Sequence, residues 1–265
     1  MSPPFVVNAL ITNYGEAAPN HFWMTFDAPA IAQAAQPGQF VQVRGLDWTD
    51  PLLPRPFSIM RARCEKGDVE ILYRVVGKGT TLMSGWGMQI IQVVGPLGNP
   101  FRIAESGSHV LIGGGVGVPP MVMLAERLKS QVSNPKTEVM VLQGARTAEQ
   151  LLCLEEFVRF GVDLRLATDD GSCGHHGLVT DLLKSEIRNL KSETTVYTCG
   201  PHAMMREVAR LCREYDVPCQ VALEAPMPCG FGVCMGCVVK TRDGRYRRVC
   251  REGPVFAANE VVWDE

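Results

Sequence analysis

No run of this sequence approaches the roughly 20 consecutive apolar residues of a membrane-spanning helix. The N-terminal segment MSPPFVVNALITNYG also lacks the cationic start and long apolar core of a secretory leader, so no membrane association and a cytoplasmic location are expected. Excess charge is missing as well. Lys and Arg number 26 against 28 Asp and Glu, and no basic stripe interleaves with aromatics, which removes the usual grounds for nucleic-acid binding. The full Rossmann fingerprint G-x-G-x-x-G is absent, because the one glycine loop that could supply it ends in proline. No segment offers a set of acids and bases arranged for an organic substrate. What remains is 265 residues, 46% of them hydrophobic, enough for two compact domains with their own cores and a small appendage.

Cysteine is plentiful, with ten in the chain. Four of them organise residues 223–250. CGFGVCMGC, residues 229–237, sets Cys229, Cys234 and Cys237 at the spacing C-x4-C-x2-C, and Cys250 follows beyond a basic segment. That is the ligand pattern of a plant-type [2Fe-2S] cluster. Each iron takes two thiolates and the sulfurs want N–H donors, so the loop must curl tightly, and Gly230, Gly232 and Gly236 permit that. VVKTRDGRYRRVC reads as two short strands about the turn Asp243-Gly244, which would bring Cys250 back beside the other thiols. A four-cysteine zinc site is the alternative, but only Cys234 and Cys237 form the knuckle such sites use twice. Disulfides would need an oxidising compartment and leave the interleaved glycines unexplained. Cys64, Cys153, Cys173, Cys212 and Cys219 show no ligand spacing and read as small apolar residues.

Residues 1–101 carry short β-type runs bounded by Gly, Pro, Asn or Asp: FVVNALITNY, HFWMTFDAP, FVQVRG, RPFSIM, VEILYRVV and MQIIQVVGPLG. With one helical turn between Thr80 and Trp86, they predict a small antiparallel barrel. RPFS (Arg55, Pro56, Phe57, Ser58) places a guanidinium, an aromatic ring and a hydroxyl at one strand end. YRVVGKGTTLMSGW ends another strand in a Gly-rich turn that opens a helix, an arrangement that suits a pyrophosphate.

Residues 102–220 alternate strand-like and helical runs, which predicts an open parallel sheet with ligands at the carboxyl ends of its strands. HVLIGGGVGVPPMVMLAERLKS is a buried strand, a glycine loop and a helix opened by proline. EVMVLQGA, DLRLATDD and TTVYTCG are further strands; EQLLCLEEFVRF and HAMMREVARLCREY read as helices. QGARTAEQ offers only Arg146, followed by Glu149, where a 2′-phosphate would need a positive cluster, so NAD is expected over NADP. Residues 221–265 form the cluster module.

R-x-[YF]-S followed by G-x-G-T, then GGGVGVPPM and CGPHAMM, resembles the FAD and nicotinamide segments of the ferredoxin-NADP reductase superfamily, in that family's order. The resemblance implies that Arg55 meets the FAD pyrophosphate, Pro56 and Phe57 lie against the flavin, and Ser58 bonds near flavin N5. Leu72, Tyr73 and Arg74 would line the cofactor's other side, while Gly79 and Thr80 present the helix start. Phe57 stands where tyrosine is common in the superfamily. Gly113, Gly114, Gly115 and Gly117 would line the dinucleotide pyrophosphate, with Cys199, Gly200 and Pro201 near the nicotinamide and Met204 capping it.

Flavin barrel, nucleotide domain and C-terminal cluster, ending in ALEAPMPCGFGVCMGCVVK and Cys250, are similar over nearly the whole length to the electron-transfer subunits of type B dihydroorotate dehydrogenase. That family implies FAD, a [2Fe-2S] cluster, NAD as substrate and a separate FMN-containing catalytic subunit, in a heterotetramer serving pyrimidine (UMP) biosynthesis. The basic hairpin with Lys240, Arg242, Arg245, Arg247, Arg248 and Arg251 would help dock that partner. Sulfide dehydrogenases, NADPH-dependent ferredoxin oxidoreductases and hydrogenases have reductase subunits of the same architecture and remain as alternatives, as does a non-enzymatic redox or nucleotide sensor.

Overall fold

A computed structural model describes residues 4–131, 138–190 and 193–263. Residues 1–3 of the segment read for a leader lie outside these. Six strands, β1 (Phe5–Ala18), β2 (His21–Asp27), β3 (Phe40–Gly45), β4 (Arg55–Arg63), β5 (Asp68–Arg74) and β6 (Ile90–Leu97), close into an antiparallel barrel in the order β1-β2-β5-β4-β3-β6. The alternating apolar residues of each strand point inward, so that Ile11, Phe26, Val43, Ile59, Ile71 and Val93 fill the interior with none exposed. Two short helices interrupt the barrel. The expected turn is α2 (Lys78–Ser84), while α1 (Pro29–Ala34) was not foreseen: six residues are too few to show a helical period, and Pro29 starts the turn that buries Ile31 and Ala32.

The nucleotide part is a sheet of β7 (His109–Gly114), β8 (Val139–Ala145), β9 (Asp163–Thr168), β10 (His175–His176), β11 (Thr195–Cys199) and β12 (Cys219–Ala222), all parallel. Every residue of β7 is buried, as a central parallel strand requires. Helices α3 (Pro119–Gln131), α4 (Leu154–Phe160), α5 (Val179–Glu186) and α6 (His202–Glu214) cover it. The run EQLLCLEEFVRF yields a shorter helix than its periodicity predicts, because Leu151 is extended and Cys153 adopts a left-handed φ of 59°. α5 lay unrecognised in LVTDLLKSE; Asp181 Oδ2 accepts the Leu178 N–H at 3.1 Å and so caps its start.

After β12 the chain forms the cluster loop and the expected hairpin, β13 (Val238–Lys240) against β14 (Tyr246–Arg248), turning at Gly244 with φ +79°. β15 (Val255–Ala257) then returns to the nucleotide sheet and pairs antiparallel with β12. The sheet order is therefore β10-β9-β8-β7-β11-β12-β15.

Buried polar groups join these parts. Arg61 on β4 reaches Glu70 on β5 at 3.3 Å, Glu126 on α3 at 3.8 Å and Glu156 on α4 at 3.7 Å, with a side chain only 8% exposed. One desolvated cation thus faces carboxylates from both barrel and nucleotide part, a geometry in which removing the cation costs far more than the pair gains. At the other junction Asn99 donates its backbone N–H to Gly253 O at 2.6 Å and its amide to Glu252 O at 2.7 Å. Gly98 makes that approach possible: its φ is +76°, and a Cβ there would lie 2.3 Å from Pro254 Cδ and 2.9 Å from Gly253 O. Gly98→Ala is expected to destabilise the chain by about 2–4 kcal/mol, from strain and overpacking together, read as a lowered midpoint in chemical denaturation.

Candidate functional site

The ends of β4 and β5, the Gly-rich turn before α2, the end of β11 and the stretch after β12 surround one cavity of about 310 Å³. Arg55, Pro56, Phe57, Ser58, Leu72, Tyr73, Arg74, Thr80 and Cys199 all line it, so residues chosen from three separate stretches of sequence converge. Phe57 and Tyr73 set their rings 5.3 Å apart at 48°. Thr80 folds its hydroxyl back over the turn, accepting the Val76 N–H at 2.9 Å and the Gly77 N–H at 3.2 Å. Gly79 does not line the cavity; a Cβ there would lie 2.7 Å from Arg55 Nε, so the glycine lets the guanidinium lie flat on the turn. Arg55 bonds only the carbonyls of Leu53 and Pro54, at 2.6 and 3.3 Å, and has no carboxylate partner among the described residues. A cation free of carboxylates beside an aromatic pair suits an anionic, planar ligand such as a flavin dinucleotide.

A second cavity, about 370 Å³, opens at the carboxyl ends of β7, β8 and β9. Gly114, Gly115, Pro201 and Met204 line it, as do Arg146, Asp169, Thr180 and Arg74. Arg74 belongs to both cavities, and Cys199 and Pro201 flank Gly200 on either side of the divide. Thr180 is 3% exposed and its hydroxyl has no partner in the described structure, a group that a bound nucleotide would satisfy. Gly113, Gly117 and Gly200 line neither cavity but make the junction. A Cβ on Gly117 would lie 2.5 Å from Gly200 Cα and 2.6 Å from Cys199 O, and one on Gly114 would lie 2.6 Å from Met204 Sδ. Met204 therefore packs on the glycine loop within the second cavity. Burial, reinforced by Glu224, pushes the Cys199 thiol well above its ordinary value, so it meets any ligand as a neutral S–H.

Sequence reasoning missed Val116, Leu223, Glu224, Ala225 and Met227, which complete the first cavity from the nucleotide part and the start of the cluster module. ALEAPM immediately before the first cluster cysteine was the available signal. Glu224 is reached by solvent from the cavity, yet the surrounding protein raises its carboxyl above the ordinary value against the pull of Arg74.

Two residues beyond Met227 the thiols begin. Cys237 and Cys250 are each 2% exposed, with sulfurs 3.2 Å apart, whereas Cys229 is half-buried and Cys234 exposed. Backbone N–H groups point at the sulfurs, Gly236 at Cys234 and Cys250 at Cys237, each at 3.4 Å. Burial opposes ionisation of Cys229, but the N–H groups of Cys234, Phe231 and Val233 outweigh it and hold the thiol down to about 6. The curl is made by positive φ at Gly230 (79°), Gly232 (88°) and Met235 (59°). Gly236 does not take that conformation; Met235 does, and a Cβ at Gly236 would press on Pro228 at 3.2 Å. Among the described residues no three His, Cys, Asp or Glu groups are placed to hold one metal ion. The buried Cys237–Cys250 contact instead gives thiols in a pair, the unit each iron of a [2Fe-2S] cluster uses, and N–H donors aimed at sulfur fit that group. The basic hairpin is less open than expected: Arg247 pairs with Asp243 at 3.1 Å, and Arg248 turns inward to Glu252 and Gly232.

Barrel, sheet and cysteine module together define an NAD-linked oxidoreductase subunit of the ferredoxin-reductase type, with FAD and a [2Fe-2S] cluster as its cofactor set. The family described as the iron-sulfur cluster binding domain of dihydroorotate dehydrogenase B matches residues 224–262, and the oxidoreductase NAD-binding domain matches residues 111–210. The chain is 43% identical to the electron transfer subunit of dihydroorotate dehydrogenase B (NAD(+)) from Desulforamulus reducens, over 93% of its own length and 94% of that protein. It is 40% identical to the subunit of the same name from Clostridium acetobutylicum, over 87% of each. The chain belongs to this family of electron transfer subunits. It also superimposes, with a TM-score of 0.86 and 32% identity, on a solved NADH-dependent reduced ferredoxin-NADP oxidoreductase, covering 97% of this chain and 90% of that one. The cytochrome b5 reductase domain of Ulva prolifera nitrate reductase shares the fold at 15% identity and a TM-score of 0.66. Among the described residues no helix is long and apolar enough to cross a membrane.

Gly117→Ala, whose Cβ would strike the Cys199 and Gly200 backbone, should force the junction apart and weaken NADH binding by about tenfold or more, as read by NADH-dependent flavin quenching at equal FAD content. In cluster-free chain kept anaerobic, iodoacetamide should label Cys229 first. Its rate should rise as pH increases through about 6, while Cys250, whose thiol burial and Cys237 push up to about 12, stays unlabelled; peptide mass mapping reads both.

Proposed function

We propose that this chain carries electrons from a separate FMN-containing dihydroorotate dehydrogenase catalytic subunit to NAD+, in a cytoplasmic heterotetramer of pyrimidine (UMP) biosynthesis. When bound, FAD exchanges hydride with nicotinamide and single electrons with a [2Fe-2S] centre, so the set converts two-electron to one-electron transfer. By function the division is residues 1–101 for the flavin barrel, 102–220 for the NAD-binding part and 221–265 for the cluster module, although the end of β12 and all of β15 in the last stretch pair within the nucleotide sheet. Arg55, Phe57, Ser58, Tyr73, Arg74 and Thr80 hold the flavin nucleotide. Gly114, Gly115, Pro201 and Met204 hold NAD, and Cys199 closes the junction as a neutral thiol that excludes water. Cys229, Cys234, Cys237 and Cys250 hold the cluster. Ten free cysteines accord with a reducing compartment.

The observation that carries this reading is the path of residues 223–234. Leu223, Glu224, Ala225 and Met227 wall the flavin cavity, Cys229 follows, and Cys234 reaches the surface amid Phe231, Val233 and Met235, which are 49%, 74% and 51% exposed. A route that ends in an apolar rim on the surface suits a protein as the other redox partner. Similarity to the ferredoxin-NADP oxidoreductase structure favours a second reading, in which that partner is a ferredoxin or another flavoprotein subunit.

Purified anaerobically, the chain should carry FAD and iron, bleach its flavin with NADH and then show a rhombic EPR signal. Mixed with the FMN-containing subunit it should give dihydroorotate-dependent NAD+ reduction, and Cys250→Ser should abolish that while keeping FAD. Ferredoxin-dependent turnover without any response to the catalytic subunit would select the second reading. Zinc in place of iron, or no flavin, would leave only a sensor.

A further inference from the structure

Arg248 closes β14 two residues before Cys250, and its charge is turned into the module. Nη1 donates to Gly232 O at 2.7 Å, and Nε donates to Glu252 Oε2 at 3.0 Å. Nη2 bonds Glu252 Oε1, and Glu252 Oε2 also accepts the Arg248 backbone N–H at 2.7 Å. Arginine, carboxylate and carbonyl form a clasp between the hairpin and the cluster loop. Its neighbours do otherwise: Arg247 pairs outward with Asp243, and the Arg245 side chain is 80% exposed.

Gly232 is where the clasp meets the thiols. It sits at φ +88°, and a Cβ there would lie 3.0 Å from Arg251 Cβ and 3.4 Å from Arg248 Nη1. The clasped strand leads straight to the buried thiols: the Cys250 N–H points at Cys237 Sγ at 3.4 Å, and the two sulfurs lie 3.2 Å apart. With its carbonyl held by Arg248 at 2.7 Å, the peptide plane that follows Gly232 is not free to turn.

We propose that the Arg248–Glu252 clasp tunes the reduction potential of the cluster, with Arg248 raising it by a positive charge two residues from Cys250 and by tying the Gly232 part of the loop to the strand end that aims the Cys250 N–H at the Cys237 sulfur. The inference rests on the reading that the four thiolates hold a [2Fe-2S] cluster. One-electron reduction adds a negative charge to that group, so a nearby cation and N–H donors favour the reduced form, while the Glu252 carboxylate offsets part of the cation. Arg248 is thus a positioning residue that acts through Gly232 and its own field.

The test is a dithionite titration of the full-length chain followed by EPR, with iron and sulfide quantified first, for wild type, Arg248→Gln, Arg248→Lys and Glu252→Gln. Arg248→Gln should shift the midpoint to more negative potential, and Arg248→Lys, which keeps the charge but not the two-pronged geometry, should shift it less. Glu252→Gln should shift it to more positive potential, because the amide keeps an acceptor for the Arg248 N–H while the opposing charge is gone. Opposite shifts at full iron content are not what a mere latch would produce. If Glu252→Gln and the arginine variants move the midpoint in one direction, or leave it in place with the cluster intact, the clasp only holds the loop and the proposal fails. Should Arg248→Gln lose its iron, Arg248→Lys and Glu252→Gln still decide by the sign of their shifts. Wild type without iron would overturn the cluster reading itself, and the iron assay reports that before any potential is measured.

Discussion

Gln42 donates its amide to the carbonyl of Met227 at 2.8 Å, from a position on β3 that is only 1% exposed. The bond fixes the point at which the chain leaves the flavin cavity for the thiols. A Cβ on Gly230 would come within 2.5 Å of Gln42 Nε2, so the loop starts in direct contact with the barrel wall. A buried amide left without that carbonyl would cost more than the bond gains, which makes the register of the two parts close to obligatory. From that anchor the other dispositions follow. Met227 and Leu223 close the cavity on one side, Cys229 begins the run of thiols on the other, and the residues between them are too few to wander.

A comparable constraint operates where the two cavities meet. β7 and β11 lie side by side, and their carboxyl ends come so close at Gly114, Gly117 and Gly200 that a methyl group would strike backbone or a packed side chain. The crossing sets the two cavities on either side of Gly200. Arg74, reaching from the barrel, lines both cavities and supplies positive charge to each. Arg61 locks the same two parts together further along β4, so the junction is set by packed strands and a buried ion cluster rather than by a linker.

What the sequence disclosed and what it withheld divide along physical lines. The thiol spacing stands out because metal ligation would fix both residue type and separation, and β3 could be bounded to the residue because Pro, Gly and Asp punctuate it. The glycine loop and the RPFS strand end stand out for a similar reason, since glycine and arginine are residues that present backbone or charge to an anion, and both segments do line cavities. α1 and α5 do not, as helices of six and eight residues hold only about two turns, too few for an apolar repeat to emerge. Glu224 and Val116 escaped because their place in the flavin cavity is created by packing between parts far apart in the chain. Met235 took a left-handed conformation that glycine would take more cheaply, and the inward turn of Arg248 depends on Glu252, four residues on; neither shows in composition or period.

The return of β15 to the nucleotide sheet has a bearing on how such a chain is assembled. Ala222 and Val255 are register partners on adjacent strands, so the whole cysteine-bearing stretch departs and arrives at neighbouring points of one sheet. Topologically it is a detour between two strands rather than a tail. Both of its ends are tied before any iron arrives, which removes much of the loop-closure entropy that metal binding would otherwise have to meet. Delivery of the cluster can then be a late event on a folded chain. For the same reason the detour is the piece that a lineage could lengthen, trade or delete while leaving the flavin and nucleotide machinery in place.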